Sequence, residues 1–184
     1  MEAGRIDKAE EALDKAEITS DGVSQSPRFL KYRALLNIKK NKFDEAENLL
    51  NSALSATDST DLSSIGSINF ALGNLMRKTE RYDEAISYFN TALNADREVG
   101  ISSAIAEDLF AIGETYVVQE QFDKAVGYLK RSLKIFLLTE NQEKIADVKS
   151  KLSLAAENTD VDMTVIQHFI VQWEEGVILE HPCK

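Results

Sequence analysis

The stretch RYDEAISYFNTAL, residues 81–93, decides the fold. It recurs in altered form as RIDKAEEALDKAE at 5–17, KFDEAENLLNSAL at 42–54 and QFDKAVGYLKRSL at 121–133. Aligned on the alanine behind each acidic or acid–lysine pair, the copies fall on Ala9, Ala46, Ala85 and Ala125, at intervals of 37, 39 and 40 residues. Three positions before each alanine stands a bulky apolar residue: Ile6, Phe43, Tyr82 and Phe122. Four positions after it stand Leu13, Leu50, Phe89 and Leu129, and seven after it Ala16, Ala53, Ala92 and Ser132. Offsets of three, four and seven lie on one face of an α-helix, so each copy is an amphipathic helix. Its small residues admit a neighbouring helix closely, and its bulky ones fill the space alongside.

A second pattern precedes each copy. FALGNLMRKTERYDEA (70–85) aligns without a gap to FAIGETYVVQEQFDKA (110–125), and Ala34 takes the place of Gly73 and Gly113 in KYRALLNIKKNKFDEA. Glycine within a helix costs about 1 kcal/mol relative to alanine, so its return in register points to close backbone packing. Each unit is then a helix, a short turn and a second helix. Such a unit cannot bury its apolar face alone, so neighbours must stack. The chain resembles the tetratricopeptide repeat family at Leu72-Gly73, Tyr82, Ala85, Phe89 and Ala92, and again at Ile112-Gly113, Tyr116, Phe122, Ala125 and Leu129. The resemblance implies an all-α fold, a right-handed superhelical solenoid of antiparallel helix pairs. There are departures. The family repeats at about 34 residues, whereas Gly73 and Gly113 are 40 apart; Asn69 or Leu109 stands where the family has Trp, and Arg97 or Leu137 where it has Pro. Longer helices explain these differences, and the chain looks like the long-repeat variety of the family.

Helices are predicted near 5–18, 27–40, 43–57, 61–79, 82–98, 102–119, 122–139, 142–157 and 162–175. They form a single domain over 1–184: a half repeat at 1–20, repeats at 27–60, 61–100 and 101–140, a degenerate terminal repeat at 141–175, and a tail at 176–184. Ser26 is placed as a cap with Pro27 in the first turn behind it; Thr60 or Asp61, Asn141, and Asp160 or Asp162 are the other candidate caps. Because the first helix of the first pair is missing, the chain is expected to be a fragment of a longer array.

The 184 residues carry a formal net charge of −10, which argues against nucleic acid or an anionic membrane as the main partner. A local basic patch can still hide within an acidic total. No apolar run reaches the ~20 residues of a membrane span, so no membrane insertion is expected. Cys183 is the only cysteine, so no disulfide forms within the chain, compatible with a cytoplasmic setting. His181 and Cys183 are too few ligands for zinc, and His168 reads as a packing residue. No phosphate-binding loop, nucleophile elbow or metalloprotease motif is present, so no catalysis, metal or cofactor is expected.

Arrays of the resembled family typically hold a peptide along a concave face made by the first helix of each pair. By register this face carries Arg28, Lys31, Leu35 and Ile38; then Ser67, Phe70, Asn74 and Arg77. It continues with Glu107, Phe110, Glu114 and Val117, then Asp147, Ser150, Leu154 and Glu157. Phe70 and Phe110 are expected to be exposed anchors, and the charge to run from basic to acidic, fitting a peptide of complementary gradient. The alternative is that both rings pack between helices and the gradient is accidental. The chaperone-tail clamp of some relatives is rejected, because Leu35 and Phe70 stand where its Asn and Lys would be. The expected function is a protein-interaction scaffold. Two alternatives stay open. One is a regulatory segment of a larger signalling protein. The other is a homodimer formed through Ile166, Phe169, Ile170 and Trp173 on the last helix, together with GVILE at 176–180, set against the plainer reading that this helix packs on the stack.

Overall fold

The computed structural model describes residues 2–19 and 22–174. Among them are nine α-helices, a short 3₁₀ turn and no strand. The chain forms two compact units, Met1–Val99 and Gly100–Lys184. The first holds α1 (Glu2–Thr19), the 3₁₀ turn (Val23–Gln25), α2 (Pro27–Lys39), α3 (Phe43–Ser55), α4 (Leu62–Lys78) and α5 (Tyr82–Val99). The second holds α6 (Ser102–Val118), α7 (Phe122–Leu138), α8 (Gln142–Glu157) and α9 (Met163–Glu174). Every helix expected from the pattern is found, with ends within three residues. The tail GVILE, with His181 and Cys183, lies outside the described residues.

Helix starts follow local chemistry. Ser26 Oγ accepts the Phe29 amide at 3.3 Å, and Pro27 opens α2 where no amide is needed. Of the two candidates before α4, Asp61 is the cap and accepts the Ser64 amide at 3.0 Å. Asn141 caps α8 through the Lys144 amide, and Asp162 accepts from Thr164 at the start of α9.

Helix ends share one device. After α2, α4, α6 and α7 the chain turns on a residue with positive φ: Asn41, Glu80, Glu120 and Glu140, at 55–61°. At each turn the next amide reaches back to a carbonyl five residues earlier, as Arg81 N does to Met76 O and Gln121 N to Tyr116 O, both 2.9 Å. This paired six-to-one and five-to-two closure satisfies carbonyls that a helix end leaves open. It also reverses the chain in three residues, so α2–α3, α4–α5, α6–α7 and α7–α8 pack as antiparallel neighbours.

The repeated stripe does the packing. Ala46, Leu50 and Ala53 of α3, Ala85, Phe89 and Ala92 of α5, and Ala125 and Leu129 of α7 are fully buried. The glycines lie opposite the bulky member of the stripe. A Cβ at Gly73 would sit 2.5 Å from the Phe89 ring, and one at Gly113 would sit 2.7 Å from Leu129 Cγ. Backbone approach is thus the reason for both glycines. Ser132, which replaces alanine in the last copy, is buried and donates to the Ala106 carbonyl at 2.8 Å, so its hydroxyl is satisfied.

Candidate functional site

In the amino-terminal unit, α2 and α4 bring the register-chosen residues onto one face. Lys31 Nζ donates to Ser67 Oγ at 3.0 Å, joining the two helices. Tyr32, 44% exposed, lies beneath the Arg28 guanidinium at 5.8 Å and the Lys31 ammonium at 5.3 Å. These residues and Ser64 line a shallow hollow of about 290 Å³. Further along, Leu35 is exposed, and Arg77 donates to Asn74 Oδ1 at 3.2 Å. Asn74 Nδ2 itself donates to the Phe70 carbonyl, which fixes its orientation. Phe70 is half-buried, its ring 5.5 Å from that of Phe89.

A larger cleft of about 790 Å³ opens beside this face in the same unit. Its walls come from α1, α2 and the carboxyl end of α4, and Leu35, Asn74 and Arg77 belong to both surfaces. α1 is tied to α2 by ion pairs on its other flank. Arg33 meets Asp14 at 2.6 Å and Glu17 at 2.8 Å, and Lys40 meets Glu10 at 2.5 Å. The hydrogen bond to Asp14, helped by Glu17, raises the pKa of Arg33 against the opposing effect of partial burial.

The carboxyl-terminal unit treats the same register differently. Phe110 is not an exposed anchor but a core residue, 6% exposed, packed with Ala106, Val126 and Leu129. Lys144 of α8 lies over its ring at 5.6 Å and pairs with Glu107 at 2.8 Å. Lys151 pairs with Glu114 at 3.6 Å. Two of the four acids of the expected gradient, Glu107 and Glu114, are therefore paired with lysines of their own unit. Sequence reasoning missed both lysines because they lie off the forty-residue step. The available signal was spacing: Glu107 and Glu114 are seven apart, as are Lys144 and Lys151, so each pair occupies one face of its helix. Val117 is half-buried against this unit's core.

In the last helix the packed reading, not the self-association one, accounts for two of the four residues. Ile166 and Ile170, chosen as self-association residues, are buried in the core of their own unit with Val148 and Leu152. They hold α9 against α7. Phe169 and Trp173 are half-buried and stacked on each other at 6.0 Å. His168 meets the edge of Phe169 at 5.8 Å. Among the described residues no group of acidic, His or Cys side chains is arranged to hold a metal, and no helix is long and apolar enough to cross a membrane.

Comparison with known proteins agrees with this architecture. BtubC (BKLC) from P. vanneervenii is 19% identical, with a TM-score of 0.69 over 96% of this chain and 73% of that one. The apo form of RapI is 16% identical, with a TM-score of 0.68 over 94% of this chain. The chain spans 46% of RapI. At such identity these likenesses show the fold alone. The comparison with curated proteins finds no match. Tetratricopeptide repeat family patterns match residues 64–137 and residues 1–61, covering most of the sequence. The chain belongs to the tetratricopeptide repeat family.

Proposed function

We propose that the protein is a non-catalytic, cytoplasmic interaction scaffold that holds a peptide or partner protein on the first helices of its pairs. The face of α2 and α4, with Arg28, Lys31, Leu35, Asn74 and Arg77, is the main contact. The observation that carries this reading is Tyr32: a large ring left 44% exposed and flanked by two cations. Exposed aromatics beside arginine are common anchors at protein interfaces. The cations favour an acidic segment, and their attraction speeds encounter more than it adds affinity. The face of α6 and α8 contributes shape rather than net charge, because Glu107 and Glu114 are already paired.

The test is quantitative capture of partners from native lysate by the full chain, compared with Arg28→Glu/Lys31→Glu and with Glu107→Lys. The first variant is expected to lose partners at least tenfold at unchanged helicity, and the second to lose less. Equal capture by all three proteins would overturn the reading.

A further inference from the structure

We propose that the hollow between α2 and α4 is a phosphoryl-binding site that takes a phosphoserine or phosphothreonine side chain of a partner protein, an assignment that rests on the interaction face described above and names the group it recognises. Two cations stand at the hollow, Arg28 and Lys31. Neither meets a carboxylate among the described residues. Lys31 Nζ donates to the neutral Ser67 hydroxyl at 3.0 Å, which leaves its charge uncompensated. The Arg28 guanidinium and the Lys31 ammonium both approach the Tyr32 ring, at 5.8 and 5.3 Å, so one ligand group can reach both.

This placement costs the free protein stability. Three positions apart on one helix face, the two cations repel each other. They also stand near a helix amino end, where the dipole favours negative charge. α3, α5 and α7 follow that preference and open on acids: Asp44 and Glu45, Asp83 and Glu84, and Asp123. α2 has no acid in its first turn; it carries Arg28 there and Lys31 just beyond. An anion seated between the two cations relieves both penalties.

The walls of the hollow decide which anion. α2 supplies the two cations, and α4 supplies Ser63, Ser64 and Ser67. No acid lines the hollow, although the whole chain carries −10. Asp61 stands nearby at the start of α4, but it is committed to the cap. Hydrogen bonds from the Ser64 hydroxyl and amide hold its carboxyl below the usual range. A carboxylate brings two oxygens in one plane and a single charge. A phosphoryl group brings three oxygens in a tetrahedral array and a charge of about −1.5 to −2 near pH 7. Arginine meets two such oxygens with parallel hydrogen bonds. The third oxygen is then free for Lys31 or for a hydroxyl of the α4 wall. The hollow is shallow, about 290 Å³, which suits the short stem of serine or threonine rather than a phosphotyrosine ring. Pro27, Tyr32 and Ile68 add apolar surface for the residues beside the phosphate.

The probe is a fluorescein-labelled peptide pool with one fixed central phosphoserine and randomised neighbours, titrated with the full chain by fluorescence anisotropy. Saturable binding that weakens with salt is expected, at least tenfold tighter than for a matching pool with glutamate at the fixed position. Arg28→Glu/Lys31→Glu should abolish it. Ser63→Ala/Ser67→Ala keeps every charge and should weaken it severalfold, with helicity of both variants confirmed by circular dichroism. Equal affinity for the two pools, absence of saturable binding, or indifference to either variant would overturn the proposal. So would inorganic phosphate competing at the concentration of the peptide, since the site would then read a free anion. Capture of the chain by phosphatidylcholine vesicles carrying phosphatidylinositol phosphate, lost in the charge reversal, would assign the hollow to a membrane and overturn it too. Phosphatase treatment of the native lysate separates this site from the reading on which it rests. Partner capture is expected to fall with phosphatase. Capture that survives phosphatase but is lost in Arg28→Glu/Lys31→Glu would sink the phosphoryl site and leave the interaction face standing. Capture unchanged by the charge reversal would sink both.

Discussion

Phe70 and Phe110 stand forty residues apart in matching sequence, yet they meet different surroundings. Phe70 is half-buried, its ring 5.5 Å from that of Phe89 on α5. Phe110 is sealed into the carboxyl-terminal core beneath Lys144. In the carboxyl-terminal unit α8 follows α6 and lays Lys144 over the Phe110 ring. α2 presents Arg28 and Lys31, whereas α8 presents Lys144 and Lys151 to carboxylates already waiting on α6. The first face presents cations, whereas on the second Glu107 and Glu114 are met by lysines. The repeat signature constrains the buried stripe and leaves this face free to diverge.

The widest separation between the units should appear on truncating these two rings. Phe110→Ala removes a core ring and is expected to cost about 3–5 kcal/mol, while Phe70→Ala should cost roughly 1–2 kcal/mol. Urea unfolding of the full chain measures both. Equal losses would mean that the two rings are equivalent after all and that the comparison has no energetic content.

The glycines give a second, smaller contrast. Gly73→Ala would drive a methyl into the edge of the buried Phe89 ring, which cannot flex away. Gly113→Ala meets Leu129, whose branched end can turn to another rotamer. Overpacking costs of about 1–3 kcal/mol are expected, with Gly73 at the upper end, even after the intrinsic gain of alanine in a helix. Gly127 on α7 is the internal control. It is exposed, with nothing within 4 Å of a Cβ, so Gly127→Ala should stabilise by up to about 1 kcal/mol. A destabilising Gly127→Ala would break the packing account of all three.

Why the pattern revealed the helices but not the faces is a matter of stripe width. A second helix such as α5 buries one narrow stripe, and Ala85, Phe89 and Ala92 mark it without ambiguity. A first helix such as α6 touches its own partner and also the next first helix, α8. Its apolar arc is therefore wide, and sequence cannot say whether Phe110 lies inside that arc or just beyond it. The same ambiguity gave Ile166 and Ile170 two readings, because their spacing fits a covering helix and a self-association face alike. The open stripe of α1 was legible instead, since the repeat pattern has no first helix ahead of Ala9 and Leu13.

The smallest effect lies in the turns, where the units should behave alike except at one position. Glu80, Glu120 and Glu140 adopt positive φ with exposed side chains. The β-carbon makes that conformation unfavourable by about 1–2 kcal/mol. Each carboxylate also sits just past a helix carboxyl end, where the dipole disfavours negative charge. Glycine removes both penalties but costs more chain entropy on folding, by about 0.5–1 kcal/mol. The net expectation for each Glu→Gly change is a gain of about 0.5–1 kcal/mol, read as a rise in the urea midpoint. Asn41 occupies the corresponding turn after α2 and already tolerates positive φ, so Asn41→Gly should gain less. If Glu80→Gly in the first unit gained nothing while Glu120→Gly in the second did, the turns would not be equivalent. The difference between the units would then reach into the backbone rather than stop at the face.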